Sequence, residues 1–138
     1  MRVGEGEITA AELVARVASG AAGAVCLFLG TVRDHSEGRP GVTHLEYEAY
    51  GDVVEAKIAE IAVEAHVRWD ITAVAAEHRL GDLAVEEVSV GIAVGAAHRT
   101  EAFAAAQYVI DELKRRAPIW KKEHWPGGAE WVREDAGH

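Results

Sequence analysis

The chain has 138 residues, 49% hydrophobic and 27% charged, and its fourteen Lys and Arg against twenty-three Asp and Glu give a formal charge of −9. That length fits a single domain over residues 1–138 with a real core; the composition excludes a disordered chain, and no apolar run approaches the roughly 20 residues of a membrane span. Acidity argues against nucleic acid, which needs an extended basic face, and a lone cysteine, Cys26, leaves no internal disulfide and fits a reducing compartment.

The N-terminal run MRVGEGEITA lacks the charged-then-apolar pattern of a signal peptide, so a cytoplasmic protein with no membrane partner is expected. Arg2–Ile8 alternates weakly, as an edge strand can. Thr9 and Glu12 have capping-box spacing and open a helix over Ala10–Ser19. Ala24–Val32 (AVCLFLGTV) is an apolar, β-forming run that predicts a buried strand, with Arg33 at its end. Asp34–Gly41 (DHSEGRPG) has no apolar anchor and is expected to be a mobile loop. Val42–Tyr50 alternates as a half-exposed strand should. Asp52–Trp69 has helical spacing. Ile71–Leu80 and Val85–Ala96 predict two strands joined by Gly81-Asp82 as a hairpin. Thr100–Ala117 predicts a third helix with Phe103, Ala106, Ile110 and Leu113 as its apolar stripe. After Pro118 come a short strand, a Pro126-Gly127-Gly128 turn, a strand over Ala129–Arg133 with Trp131, and a tail at 134–138. The expected class is α+β, mostly antiparallel with about three helices.

The basic residues are unevenly placed. Leu113–Trp125 (LKRRAPIWKKEHW) holds five of the fourteen Lys and Arg residues and no acid before Glu123. Pro118 divides it, because proline removes a backbone donor and disfavours helix in the residue before it. Lys114 and Lys121 thus flank a rigid corner. Two readings fit: solvated charges suited to a helix C-terminus, or a pocket in which both lysines face one small anion. Arg33 at a strand end, and His98-Arg99 ahead of a helix whose unpaired N–H groups favour anions, are further cationic candidates. Each equally fits a surface role. Arg99 and Lys114 are separated by about 22 Å of helix at 1.5 Å per residue, so a single small ligand cannot bridge them within one chain. If both serve one site, a second copy completes it, and a two-fold homodimer does so twice.

Other chemistries find little support. There is no Cys pair, H-E-x-x-H or close His pair for zinc, and Gly30–Arg33 lacks the ending of a phosphate loop. No metal or cofactor is expected. Cys26 reads as inert core, and His78 as structural.

The motifs FLGTVR (Phe28–Arg33), LEYEAY (Leu45–Tyr50), HRLG (His78–Gly81), AHR (Ala97–Arg99) and LKRRAPIWKKE (Leu113–Glu123), closing on Trp131, resemble in order those of the MoaE family, the large catalytic subunits of molybdopterin synthase. The resemblance implies an α/β-hammerhead fold and a homodimer core carrying a small ubiquitin-like, MoaD-like partner at each end, a heterotetramer. It implies a sulfurtransferase in molybdenum cofactor biosynthesis: the partner's C-terminal Gly-Gly thiocarboxylate donates sulfur, and two donations convert cyclic pyranopterin monophosphate to molybdopterin. By motif, Lys114 and Lys121 match the active-site lysines. Arg33, His98 and Arg99 match substrate-contacting positions, with Phe28 and Lys122 alongside. The ending Ala-Gly-His is not Gly-Gly, so the donor is expected on a separate chain. Competing readings are a noncatalytic module that binds a ubiquitin-like tail, and a lyase or hydrolase acting on a phosphate ester alone.

Overall fold

The computed structural model describes residues 1–36 and 38–133. The tail expected at 134–138 lies outside the described residues. Among the described residues, three helices and ten strands come in the order β1 (Arg2–Gly4), α1 (Ala10–Val17), β2 (Ala24–Thr31), β3 (His35–Ser36), β4 (Arg39–Pro40), β5 (His44–Glu48), α2 (Gly51–Arg68), β6 (Ile71–Arg79), β7 (Gly81–Ala84), β8 (Val88–Ala96), α3 (Arg99–Arg116), β9 (Trp120–Trp125) and β10 (Gly128–Arg133). One sheet runs β1-β6-β8-β2, a second β10-β9-β5-β7, and β3 and β4 form a small hairpin. Among the described residues the pairings are antiparallel except β1 with β6, so the α+β, mostly antiparallel expectation holds. No helix among the described residues is long and apolar enough to cross a membrane.

The first sheet is covered on both faces, which is why β2 and β8 read as near-continuous apolar runs. Side chains alternate along each strand. Cys26, Val90, Ile92 and Val94 join the core shared with α2 and α3, while Leu27, Leu29, Ala75 and Ala93 pack against Leu13 and Val17 of α1. A β-carbon at Gly95 would lie 2.6 Å from the Val17 carbonyl oxygen, so glycine lets α1 approach β8 at backbone distance. Leu45, Tyr47 and Leu83 of the second sheet join the core cluster that contains Ile92 and Leu113. Behind β6, buried Glu77 pairs with Arg2 at 2.9 Å and Arg16 at 3.1 Å, tying β1 and α1 to the sheet.

Four expectations change. Gly81-Asp82 is not a hairpin turn: Gly81 has φ +89°, which swings the chain out of the first sheet, and 81–84 becomes β7, paired with β5. The strands β6 and β8 still pair, but through that excursion. The buried stripe of α3 is Ala102, Ala105, Ala106, Val109, Ile110 and Leu113, and Phe103 is 64% exposed. Thr9 is the N-cap of α1, but its side chain makes no capping bond. The supposed loop contains the β3–β4 hairpin, with Val42 N–H donating to the Asp34 carbonyl at 2.7 Å and Arg39 paired to Glu123 and Glu130.

At the C-terminal end of α3, Glu64 of α2 accepts from the Tyr108 hydroxyl at 2.6 Å and from both Arg116 Nη atoms at 2.9 and 3.0 Å. The Arg116 bond first, and then the Tyr108 bond, hold the Glu64 carboxyl below its ordinary value.

Gly95→Ala is expected to cost about 1–3 kcal/mol, since the clash is with backbone; urea denaturation with an unchanged slope measures it. A carboxyl held low in the folded state contributes stability above its unfolded pKa and loses it as pH falls through the folded one. Glu64→Gln is therefore expected to lower the thermal midpoint at pH 7, and the gap from wild type to close on acidification below about 4.5, the ordinary value.

Candidate functional site

Where the two sheets meet at the C-terminal end of α3, the fold leaves a cavity of about 220 Å³. The end of β2 provides Phe28, Thr31 and Arg33, with Arg33 just past the strand. The pairing of β2 with β8 slips between Gly30 and Thr31, and such a bulge re-aims the residues beyond it. Arg33 thereby faces the same space as Lys114 from the last turn of α3 and Lys121 from β9.

The lysine corner forms as its residues dictate. Ala117, before the proline, is extended at φ −76° and ψ 128°, and its N–H closes the last helical turn on the Leu113 carbonyl at 2.9 Å. Ala117 and Ile119 are buried on either side of Pro118 and fix the corner in the core. Strand alternation then sorts the side chains of β9. Lys121 and Glu123 point inward, both 4% exposed. Lys122 points to the opposite face, 5.6 Å from the Trp131 ring, and does not line the cavity. Opposite Lys121 in register stands Tyr47, a further cavity residue, whose ring meets buried His78 edge-on at 5.0 Å. His78 does not line the cavity; its Nδ1 lies 2.7 Å from the Arg79 carbonyl oxygen, and its ring packs behind Tyr47.

The five basic residues of the cluster thus divide three ways. Lys114 and Lys121 line the cavity, Arg115 and Arg116 bond to Glu112 and Glu64 on the helix surface, and Lys122 sits on the outer sheet face. Arg115 is exposed, engaged with Glu112, and does not line the cavity. His98 and Arg99 are exposed at the opposite end of the 18-residue helix and do not line the cavity of their own chain. Of the seven residues singled out in the sequence, the structure brings together Phe28, Arg33, Lys114 and Lys121.

Further residues line the cavity beside these. Ser36 and His35 arrive on the β3–β4 hairpin, and Glu123 accepts from Ser36 Oγ at 3.1 Å and from Arg39 Nη1 at 2.5 Å. Glu123 was legible: it lies two strand residues beyond Lys121 and so shares its face. Ser36 and Tyr47 depend on a register between distant segments, for which the local sequence carries no signal. Cys26 lies half-buried in β2 outside this cavity, and burial raises its thiol pKa, as suits an unreactive position.

Chemically, this is a pocket lined by three cations, of which Arg33 is exposed, together with a tyrosine, the three hydroxyl-bearing side chains Thr31, Ser36 and Ser89, and one carboxylate paired to Arg39. It suits a small anion better than a neutral or cationic ligand.

A family model described as MoaE protein matches residues 3–116. The molybdopterin synthase catalytic subunit of Staphylococcus carnosus is 45% identical over 116 residues, covering 84% of this chain and 77% of the relative. That of Halalkalibacterium halodurans is 41% identical over 128 residues, covering 93% and 81%. Among solved structures, the molybdopterin synthase of Staphylococcus aureus superposes with a TM-score of 0.89 at 34% identity over 95% of each chain. With the family pattern across most of its length and relatives of this similarity, the chain belongs to the MoaE protein family.

Proposed function

We propose that this chain is the catalytic subunit of a molybdopterin synthase, a sulfurtransferase that acts in the cytoplasm as one domain. It moves sulfur from the C-terminal thiocarboxylate of a small ubiquitin-like partner to cyclic pyranopterin monophosphate, building the dithiolene of molybdopterin. Relatives carrying that name support the reading, and the observation that carries it is the convergence of Arg33, Lys114 and Lys121 on one cavity. Substrate phosphate and donor thiocarboxylate are both anions, and holding them together requires fixed positive charge away from bulk water. In this reading Arg33 binds phosphate, Lys121 holds substrate or the incoming tail, and Lys114 stabilises charge as sulfur leaves the carrier. Phe28 closes the apolar side. The chemistry asks for no metal or cofactor from this chain, since sulfur arrives on the partner.

The homodimer has a geometric basis. In the first sheet β2 is an edge strand, with Val25 39% and Phe28 36% exposed. Beside it a groove of about 450 Å³ runs between β2 and α3 from Phe103 to Lys114. Ala24 pairs with Ala96, so the start of β2 lies at the His98-Arg99 end of the fold, while its Thr31 end lies at the cavity. Antiparallel pairing of β2 with β2 of a second copy lays the start of one strand beside the end of the other. That arrangement brings His98 and Arg99 of one protomer toward Lys114 of its partner, bridging what a single α3 cannot.

Reconstitution with a thiocarboxylated carrier and cyclic pyranopterin monophosphate, with product read by mass, tests the function; turnover without any carrier sinks it. Lys114→Ala is expected to lower turnover at least about 10²-fold while leaving carrier binding intact, whereas a noncatalytic tail-binding module shows no turnover to lose. Mixing equal amounts of inactive Arg99→Ala and Lys114→Ala chains is expected to restore roughly a quarter of wild-type activity, since half the dimers are hybrid and each has one intact site. No recovery after verified subunit exchange removes the shared site.

A further inference from the structure

One wall of the cavity is the β3–β4 hairpin, which contributes His35 and Ser36. Among the described residues 35–40 none is both apolar and buried, so the hairpin is held by polar contacts. They centre on Arg39. Its Nη1 donates to Glu123 Oε1 at 2.5 Å, its Nη2 pairs with Glu130, and its guanidinium lies 4.1 Å from the centre of the Trp125 ring. Ser36 Oγ donates to the same Glu123 oxygen. Glu123 itself is 4% exposed and lines the cavity, while Arg39 does not. The guanidinium therefore reaches the carboxylate from behind the wall.

A carboxylate is out of place in the lining of an anion site. In a low-dielectric enclosure an uncompensated negative charge repels the ligand much more strongly than in water. Moving Glu123 out is prevented by β9, whose alternation turns it inward with Lys121. Arg39 offers the remaining solution, which is to neutralise it in place. The planar guanidinium suits this: one edge meets Glu123, another Glu130, and its face rests on Trp125.

We infer that Arg39 is a positioning residue for anion binding: by pairing with Glu123 from behind the cavity wall, it cancels the one carboxylate charge the described lining carries and pins the hairpin that completes that wall. The inference rests on the reading of the cavity as the seat of a phosphate-bearing substrate. It concerns affinity for the anion and leaves the sulfur-transfer chemistry to the lysines.

The test is a two-by-two set of full-length chains: wild type, Arg39→Gln, Glu123→Gln and the double variant. Each is titrated with inorganic phosphate, followed by the backbone amide shifts of Ser36 and Lys121, with thermal midpoints measured alongside. Arg39→Gln is expected to weaken phosphate binding about tenfold when Glu123 is charged, and less than about twofold when residue 123 is Gln. A purely structural role predicts the same loss in both backgrounds. Glu123→Gln alone is expected to bind phosphate more tightly than wild type, an arm that stands even if Arg39→Gln does not fold. Equal losses in the two backgrounds, an unaltered affinity in Arg39→Gln, weaker binding by Glu123→Gln, or no phosphate binding by the wild type each overturn the inference. In the reconstituted reaction, Arg39→Gln is expected to raise KM for the pyranopterin with kcat within about twofold, as loss of uniform binding does. If wild type fails to turn over while phosphate shows the coupling, the sulfurtransferase reading falls and the role of Arg39 stands.

Discussion

The corner at Pro118 is the constraint on which the cavity depends. The helix before it must stop, Ala117 must be extended, and Ile119 is then driven into the core two residues later. Once Ile119 is seated, the pleat of β9 leaves no choice about Lys121, Lys122 and Glu123. A locally concentrated run of positive charge is thereby sorted onto three surfaces without any long-range instruction. Burying a lysine is expensive unless its charge is used or compensated, and here the direction of Lys121 follows from one proline and one isoleucine.

The rest of the fold holds that corner in place. Because α3 lies on β8 through alanines, its axis sits close to the sheet, and Leu113 in its last turn reaches the core shared with Ile92. The Glu64–Tyr108–Arg116 group fastens the same turn to α2. One of the basic residues that crowd Lys114 in sequence, Arg116, is thus engaged in positioning its helix. The protein is acidic as a whole, at −9, yet the cavity wall carries Arg33, Lys114 and Lys121, so the attraction an anion meets is local and short-ranged.

Much of this could be read from the residues. Long periodic segments named their own structure: α2 and α3 by their spacing, β2 and β8 by unbroken apolarity. The proline corner and its two lysines were visible too, because they depend only on neighbours in the chain. What escaped was non-local. Gly81-Asp82 carries turn chemistry, and Gly81 does take a positive φ, but whether a turn reverses a strand or hands it to another sheet is decided by β5, more than thirty residues earlier. Phe103 has the spacing of a core residue, but alanines one position away fit the close helix–sheet contact and leave it outside. The 34–41 segment lacks an apolar anchor, and its actual anchor is an arginine whose partners, Glu123 and Glu130, lie some eighty to ninety residues onward. Lys122 differs from Lys121 only by strand parity, and that parity is set once Ile119 is seated in the core, a burial the residues alone do not announce.

The open margin of β2 carries a consequence for the life of the newly made chain. Eight residues of edge backbone, flanked by valine and phenylalanine, form a template on which any extended polypeptide can add. Natural sheets blunt such margins with charge or proline, and this one has neither between Ala24 and Thr31. A polypeptide leaving the ribosome with that surface bare is in a race between meeting its twin and being captured by chaperones or by misassembly, and scarcity of the protein itself decides which comes first.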